Sequence, residues 1–112
     1  MKKPPDSSTP WPSAEEYGDR FDAINRRLEK SFASREYLGG SPEDLGVLRY
    51  RLAKLAIAAE DIRRAIHVLE SESSDDDTAA HALVELRNAC TEVTESFADV
   101  DALLVRLLNY TS

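Results

Sequence analysis

Residues 41–77 read SPEDLGVLRYRLAKLAIAAEDIRRAIHVLESESSDDD, and this stretch decides the fold. Leu45, Leu48, Leu52, Leu55, Ala59, Ile62, Ile66 and Leu69 alternate by threes and fours, the period of an apolar seam on one side of a long helix. Its start is marked: Ser41 caps, Pro42 occupies a first turn that needs no amide donor, and Glu43 and Asp44 sit at the positive end of the helix dipole. Its end is marked as well, because the run from Glu70 to Asp77 consists of Ser, Glu and Asp, and Ser and Asp side chains compete for backbone hydrogen bonds.

On the far side of that run the seam resumes through Ala79, Leu83, Leu86, Cys90, Val93, Phe97, Val100, Leu104 and Leu107. Asp77 or a neighbouring aspartate is the expected cap. Each helix is about 30 residues, or about 45 Å, and a short connection predicts a hairpin. Folding about the Ser/Asp loop pairs Leu69 with Ala79, Ile66 with Leu83, Ile62 with Leu86, Ala59 with Cys90, Leu52 with Phe97 and Leu45 with Leu104. On this reading Cys90 is a small apolar core residue.

Upstream, Ser13 followed by Glu16 is a capping box, and Tyr17, Phe21, Ile24, Leu28 and Phe32 fall on one face of the helix it starts. Gly39-Gly40 supplies a stop. Ala82, Ala89 and Ser96 flank the third helix's seam and are small enough for this first helix to dock beside them. Residues 1–12, with four of the five prolines, read as a flexible arm, and the Trp11 ring is expected against the start of helix 1. The prediction is an all-α, three-helix antiparallel (up-down-up) bundle built on a long helical hairpin: arm 1–12, one domain 13–112, and helices near 13–38, 42–71 and 77–110.

The composition suits that fold: 42% of residues are apolar, 31% charged and only 7% aromatic. The longest apolar stretch, Leu103 to Leu108, contains Arg106 and falls far short of the ~20 residues that span a bilayer. No signal-like apolar run follows Met1, and a single cysteine cannot form an internal disulfide. A cytoplasmic location without membrane contact is expected.

The net charge of −7 is unevenly spread, for residues 70–101 hold ten acids and only one base, Arg87. Direct binding of nucleic acid through the overall field is therefore disfavoured. Glu85, Glu92, Glu95 and Asp99 form a stripe on one face of the third helix, either a solvated surface or a docking strip for a basic partner. Arg49, Arg51, Lys54, Arg63 and Arg64 give helix 2 a basic side that internal ion pairs explain as well as an external partner.

A second apolar line on helix 2, Val47, Tyr50, Ala53 and Ile57, cannot face the hairpin seam. Either helix 1 covers it or it contacts another protein. The C-terminal cluster Leu103, Val105 and Leu108 raises the same question. His67 and His81, near the loop, point outward and fall short of a zinc ligand set. Cys90 has no base beside it to make a nucleophile.

No catalytic residue, cofactor or metal site is predicted. The expected function is a non-enzymatic protein–protein interaction module, a small adaptor, regulator or inhibitor, with Val47, Tyr50, Ile57, Glu85, Glu92, Glu95 and Asp99 as candidate partner-binding residues. The alternatives are a homodimer forming a structural bundle, and an acidic decoy of antitoxin or immunity type aimed at a nucleic-acid-binding machine.

Overall fold

The computed structural model describes residues 11–34 and 41–111, with side chains through Leu108. Those residues form three helices, α1 (Ala14–Ala33), α2 (Pro42–Glu70) and α3 (Asp76–Thr111), and no strand. The chain is an all-α helical bundle. The arm over residues 1–10 and the Gly39-Gly40 stop lie outside the described residues.

The helix ends follow local hydrogen-bond chemistry. Glu16 N–H donates to Ser13 Oγ at 3.1 Å and Ser13 N–H to Glu16 Oε1 at 2.8 Å, the two halves of the capping box. Asp44 N–H donates to Ser41 Oγ at 3.0 Å, which starts α2. Asp75 caps α3, accepting from Thr78 N–H at 2.7 Å, and the Thr78 side chain first, then that amide, holds its carboxyl below the usual carboxylate range. Ser71 N–H and Ser74 Oγ both donate to the Val68 carbonyl, at 3.2 and 3.1 Å, so the loop satisfies an acceptor in the last turn of α2.

Ion pairs cross between α2 and α3 at Asp44–Arg106 (3.7 Å), Arg51–Asp99 (3.1 Å) and Lys54–Glu92 (3.5 Å). The core lies along the same junction in two clusters. One, by the loop, holds Trp11, Ala65, Val68 and Ala82. The other, at the far end, holds Leu48, Val100, Leu103 and Leu107, with Phe32, Leu45, Leu52 and Leu55 packed against it.

The buried face of α3 departs from the expected one. Ala82, Ala89, Ser96, Val100, Leu103 and Leu107 are buried, whereas Leu83, Phe97 and Leu104 are 55%, 62% and 41% exposed, and Cys90 is exposed too. The seam is Ala82, Leu86, Ala89, Val93, Ser96, Val100, Leu103 and Leu107, which keeps the three-four alternation but sits one flank round the helix. On α2, Ala58, Ala65 and Val68 are buried, and Ala59, Ile66 and Leu69 are exposed. The physical reason is close approach. Small residues facing each other at Ala58, Ala65, Ala82, Ala89 and Ser96 let the two backbones draw together, and a counting of large apolar side chains gives such positions little weight.

Helix α1 also sits elsewhere than expected. It packs on α2 and makes no close backbone approach to α3, so the small residues Ala82, Ala89 and Ser96 serve the hairpin seam instead of receiving it. The result is a slab of 54 × 30 × 17 Å, between one and two helices thick, since a helix with its side chains is about 10 to 12 Å across.

Trp11 is the third departure. Its ring packs across the loop end of the hairpin on Ala65, Val68 and Ala82, edge-on to His81 at 5.8 Å and 5.6 Å from the Arg64 guanidinium. A bulky ring finds more apolar surface between two helix ends than on the exposed first turn of α1, where Ala14, Glu15 and Glu16 face water.

Candidate functional site

Because the α1 backbone comes close to α2 and not to α3, a groove of about 520 Å³ opens between α1 and α3, with α2 as its floor. Three features of the sequence place α1 there. Tyr17 donates through its hydroxyl to Asp61 Oδ1 at 2.8 Å, Arg20 Nε to Glu60 Oε2 at 2.9 Å, and Arg49 Nε to Asn25 Oδ1 at 3.2 Å. Between these polar ties, Phe21 meets Tyr50 edge-on at 5.4 Å.

The floor is the second apolar line of α2. Ala53 is fully buried, Ile57 is half-buried in the groove, Tyr50 is 45% exposed along its wall, and Val47 is 47% exposed beyond it. Cover by α1 is thus partial. Opposite stand Glu85, Asn88, Ala89 and Glu92 of α3. Tyr50, Ile57, Glu85 and Glu92 therefore line one groove, although the sequence offers them as two separate surfaces on two helices.

The rest of the acidic stripe divides. Asp99 pairs with Arg51 outside the groove, and Glu95 is exposed. Glu92 accepts from Ser96 Oγ at 2.6 Å and faces Lys54 at 3.5 Å; the serine bond, followed by the lysine charge, holds its carboxyl below the ordinary value against an opposing contribution from burial. Glu85 lies 3.5 Å from His81. Two of the four acids, Glu92 and Asp99, thus pair with bases of α2 and clamp it to α3. Arg49, Arg51, Lys54 and Arg64 are correspondingly taken up by Asn25, Asp99, Glu92 and Asp61.

Tyr17, which the sequence offers only as part of the apolar face of α1, and Gly18 also line the groove. The Tyr17 phenol is pushed well above its ordinary pKa, by burial first and then by its bond to the Asp61 carboxylate, so it stays protonated. Gly18 stands inside α1, where glycine costs about 1 kcal/mol relative to alanine, and a Cβ added there would meet nothing within 4 Å. That unexplained glycine in a helix interior is the signal that could have marked the groove mouth.

Among the described residues no group of three or more His, Cys, Asp or Glu side chains is arranged to hold a metal ion, and no helix is long and apolar enough to cross a membrane. Fold and site together define a small helical bundle with a partly apolar, acid-rimmed groove. Comparison with protein-family models, with curated proteins and with solved structures finds no match.

Proposed function

We propose that this chain is an antiparallel, up-down-up helical bundle acting as a non-enzymatic protein–protein interaction module, and that the groove between α1 and α3 receives an amphipathic helix of its partner. The arrangement is supported by the ion pairs of the hairpin, in which residue numbers on α3 fall as those on α2 rise. The function rests on one observation: Tyr50 and Ile57 of α2, with Phe21 of α1 beside them, give the groove an apolar lining between Glu85 and Glu92 on α3 and the bare position of Gly18 on α1. That is the form of a helix-in-groove site.

A binding role suits the polar groups better than catalysis does. Among the described residues of the groove, Asp61 is occupied by Tyr17 and Arg64, Glu92 by Ser96 and Lys54, Glu85 lies beside His81, and the Tyr17 phenol is held protonated. The exposed Cys90 thiol suits a reducing compartment such as the cytoplasm.

The test is affinity capture from the native host with three variants. Gly18→Phe fills the mouth of the groove while raising helix propensity, and Ile57→Lys puts a charge on the floor. Both should lose a partner that wild type retains, with the far-ultraviolet helical signal unchanged. Phe97→Glu, on the opposite face, should retain it. A partner captured equally by wild type and Gly18→Phe would overturn the groove as the binding site.

A further inference from the structure

The face of the hairpin turned away from α1 carries a second pattern. Leu45, Leu52, Ala59 and Ile66 recur every seven residues on α2, and Leu83, Cys90, Phe97 and Leu104 every seven on α3. The hairpin's ion pairs set these side by side as four rungs: Leu45 with Leu104, Leu52 with Phe97, Ala59 with Cys90, and Ile66 with Leu83. Not one of the eight is charged, and Ile66, Leu83, Phe97 and Leu104 are 46%, 55%, 62% and 41% exposed.

We infer that this face is the interface of a twofold homodimer, in which two copies lie face to face with their hairpins running in opposite directions. Three observations favour a second copy over other occupants. The first is size. The four large side chains show about two whole side chains' worth of surface, on the order of 400 Å². The ladder is about 30 Å long and two helices, roughly 20 Å, wide; its side chains and rim come within reach of the ~800 Å² per partner of a stable dimer.

The second is self-complementarity in shape. A twofold axis crossing the helices between the middle rungs sets the first rung of one copy on the last of the other. It also sets the bulky Leu52/Phe97 rung on the small Ala59/Cys90 rung. Large then meets small at both central levels, as interdigitated layers require. Parallel copies would instead set Phe97 against Leu52 and leave the small rungs facing a void.

The third is charge. Arg87 and Asp101 flank the α3 side of the ladder, both exposed and, among the described residues, in no ion pair within the chain. Under the same axis Arg87 of each copy comes level with Asp101 of the other. The one base in the acidic segment 70–101 thus gains a carboxylate twice per dimer.

Sedimentation equilibrium over a dilution series tests this. Wild type should move between one and two times the chain mass of 12.5 kDa. Phe97→Glu should weaken association at least a hundredfold with its helical signal intact, because Phe97 is mostly exposed in the single chain. Arg87→Asp should weaken association about tenfold by turning two attractions into two repulsions, and Arg87→Asp with Asp101→Arg should restore it. A monomer mass at every concentration overturns the dimer. Persistent dimers that are indifferent to Phe97→Glu, or whose charge swap fails to rescue, overturn this interface and register. Because the ladder and the groove lie on opposite faces, neither result touches the binding of a partner in the groove.

Discussion

The Tyr17 hydroxyl donates to Asp61 Oδ1 at 2.8 Å, a bond 44 residues apart in sequence that ties the first turns of α1 to the middle of α2. It fixes where α1 lies, and with it the width of the groove. The Asp61 carboxylate takes a second donor from Arg64, so the phenol completes a small network and is not its sole support.

Tyr17→Phe removes one neutral donor and leaves Asp61 its arginine. The loss should be about 0.5 to 1.5 kcal/mol at neutral pH by urea unfolding. The folded-state pKa of Tyr17 lies above the unfolded value of about 10. Its contribution is therefore complete below pH ~10 and declines as the pH climbs beyond it. Wild type and Tyr17→Phe should converge in stability as alkali is added. Parallel curves would show that the phenol keeps no proton-linked role.

Ser96→Ala examines the clamp on the other wall. Ser96 is fully buried at the seam and its hydroxyl is the largest cause of the lowered Glu92 pKa. Alanine fits the seam, as Ala82 and Ala89 do, so the fold should persist with a loss of about 1 kcal/mol at pH 7. Because the folded pKa lies below the unfolded value of about 4.3, this contribution is present above that pH and fades as acid protonates Glu92. The carboxyl resonance of Glu92 should titrate at higher pH in the variant. An unchanged titration would assign the shift to Lys54 alone.

Trp11 is the chain's only tryptophan, and its burial between the ends of α2 and α3 gives it a direct readout. Its emission should be blue-shifted in the native protein and move to the red on unfolding. Trp11→Ala should cost near the lower end of the about 3 to 5 kcal/mol typical of such truncations, since the ring caps one end of the core and does not sit at its centre. A loss below about 0.5 kcal/mol would place the ring outside the core.

Ala65→Leu tests the close approach of α2 and α3. Ala65 is fully buried against Trp11, Val68 and Ala82, with no space for three more carbons. Overpacking there should cost about 1 to 3 kcal/mol by thermal or urea unfolding. The same substitution at Ala59, on the exposed ladder, should leave the single chain's stability nearly unchanged. Equal effects at both sites would mean that the seam lies where large side chains alone would place it.

Much of the architecture was legible in the sequence. The caps Ser13, Ser41 and the aspartates before Thr78, the three-four apolar spacing and the Ser/Asp loop give three helices, because capping and amphipathic period act within a few residues of the chain. Candidate residues on α2 and α3 were legible too, but only as separate lines. Tyr50 and Ile57 became neighbours of Glu85 and Glu92 through packing, which no local spacing encodes.

What the sequence by itself determined is thus the inventory of helices, their apolar faces and an acidic segment around α3. Only the tertiary structure decided which of two overlapping apolar stripes of α3 packs on α2, on which helix α1 rests, and where Trp11 goes. Helix α3 carries two overlapping stripes, one with the small residues Ala82, Ala89 and Ser96 and one with Leu83, Cys90, Phe97 and Leu104. The choice between them turns on how near two backbones can come. That distance depends on both partners at once, and burying the small residues left Leu83, Cys90, Phe97 and Leu104 facing outward.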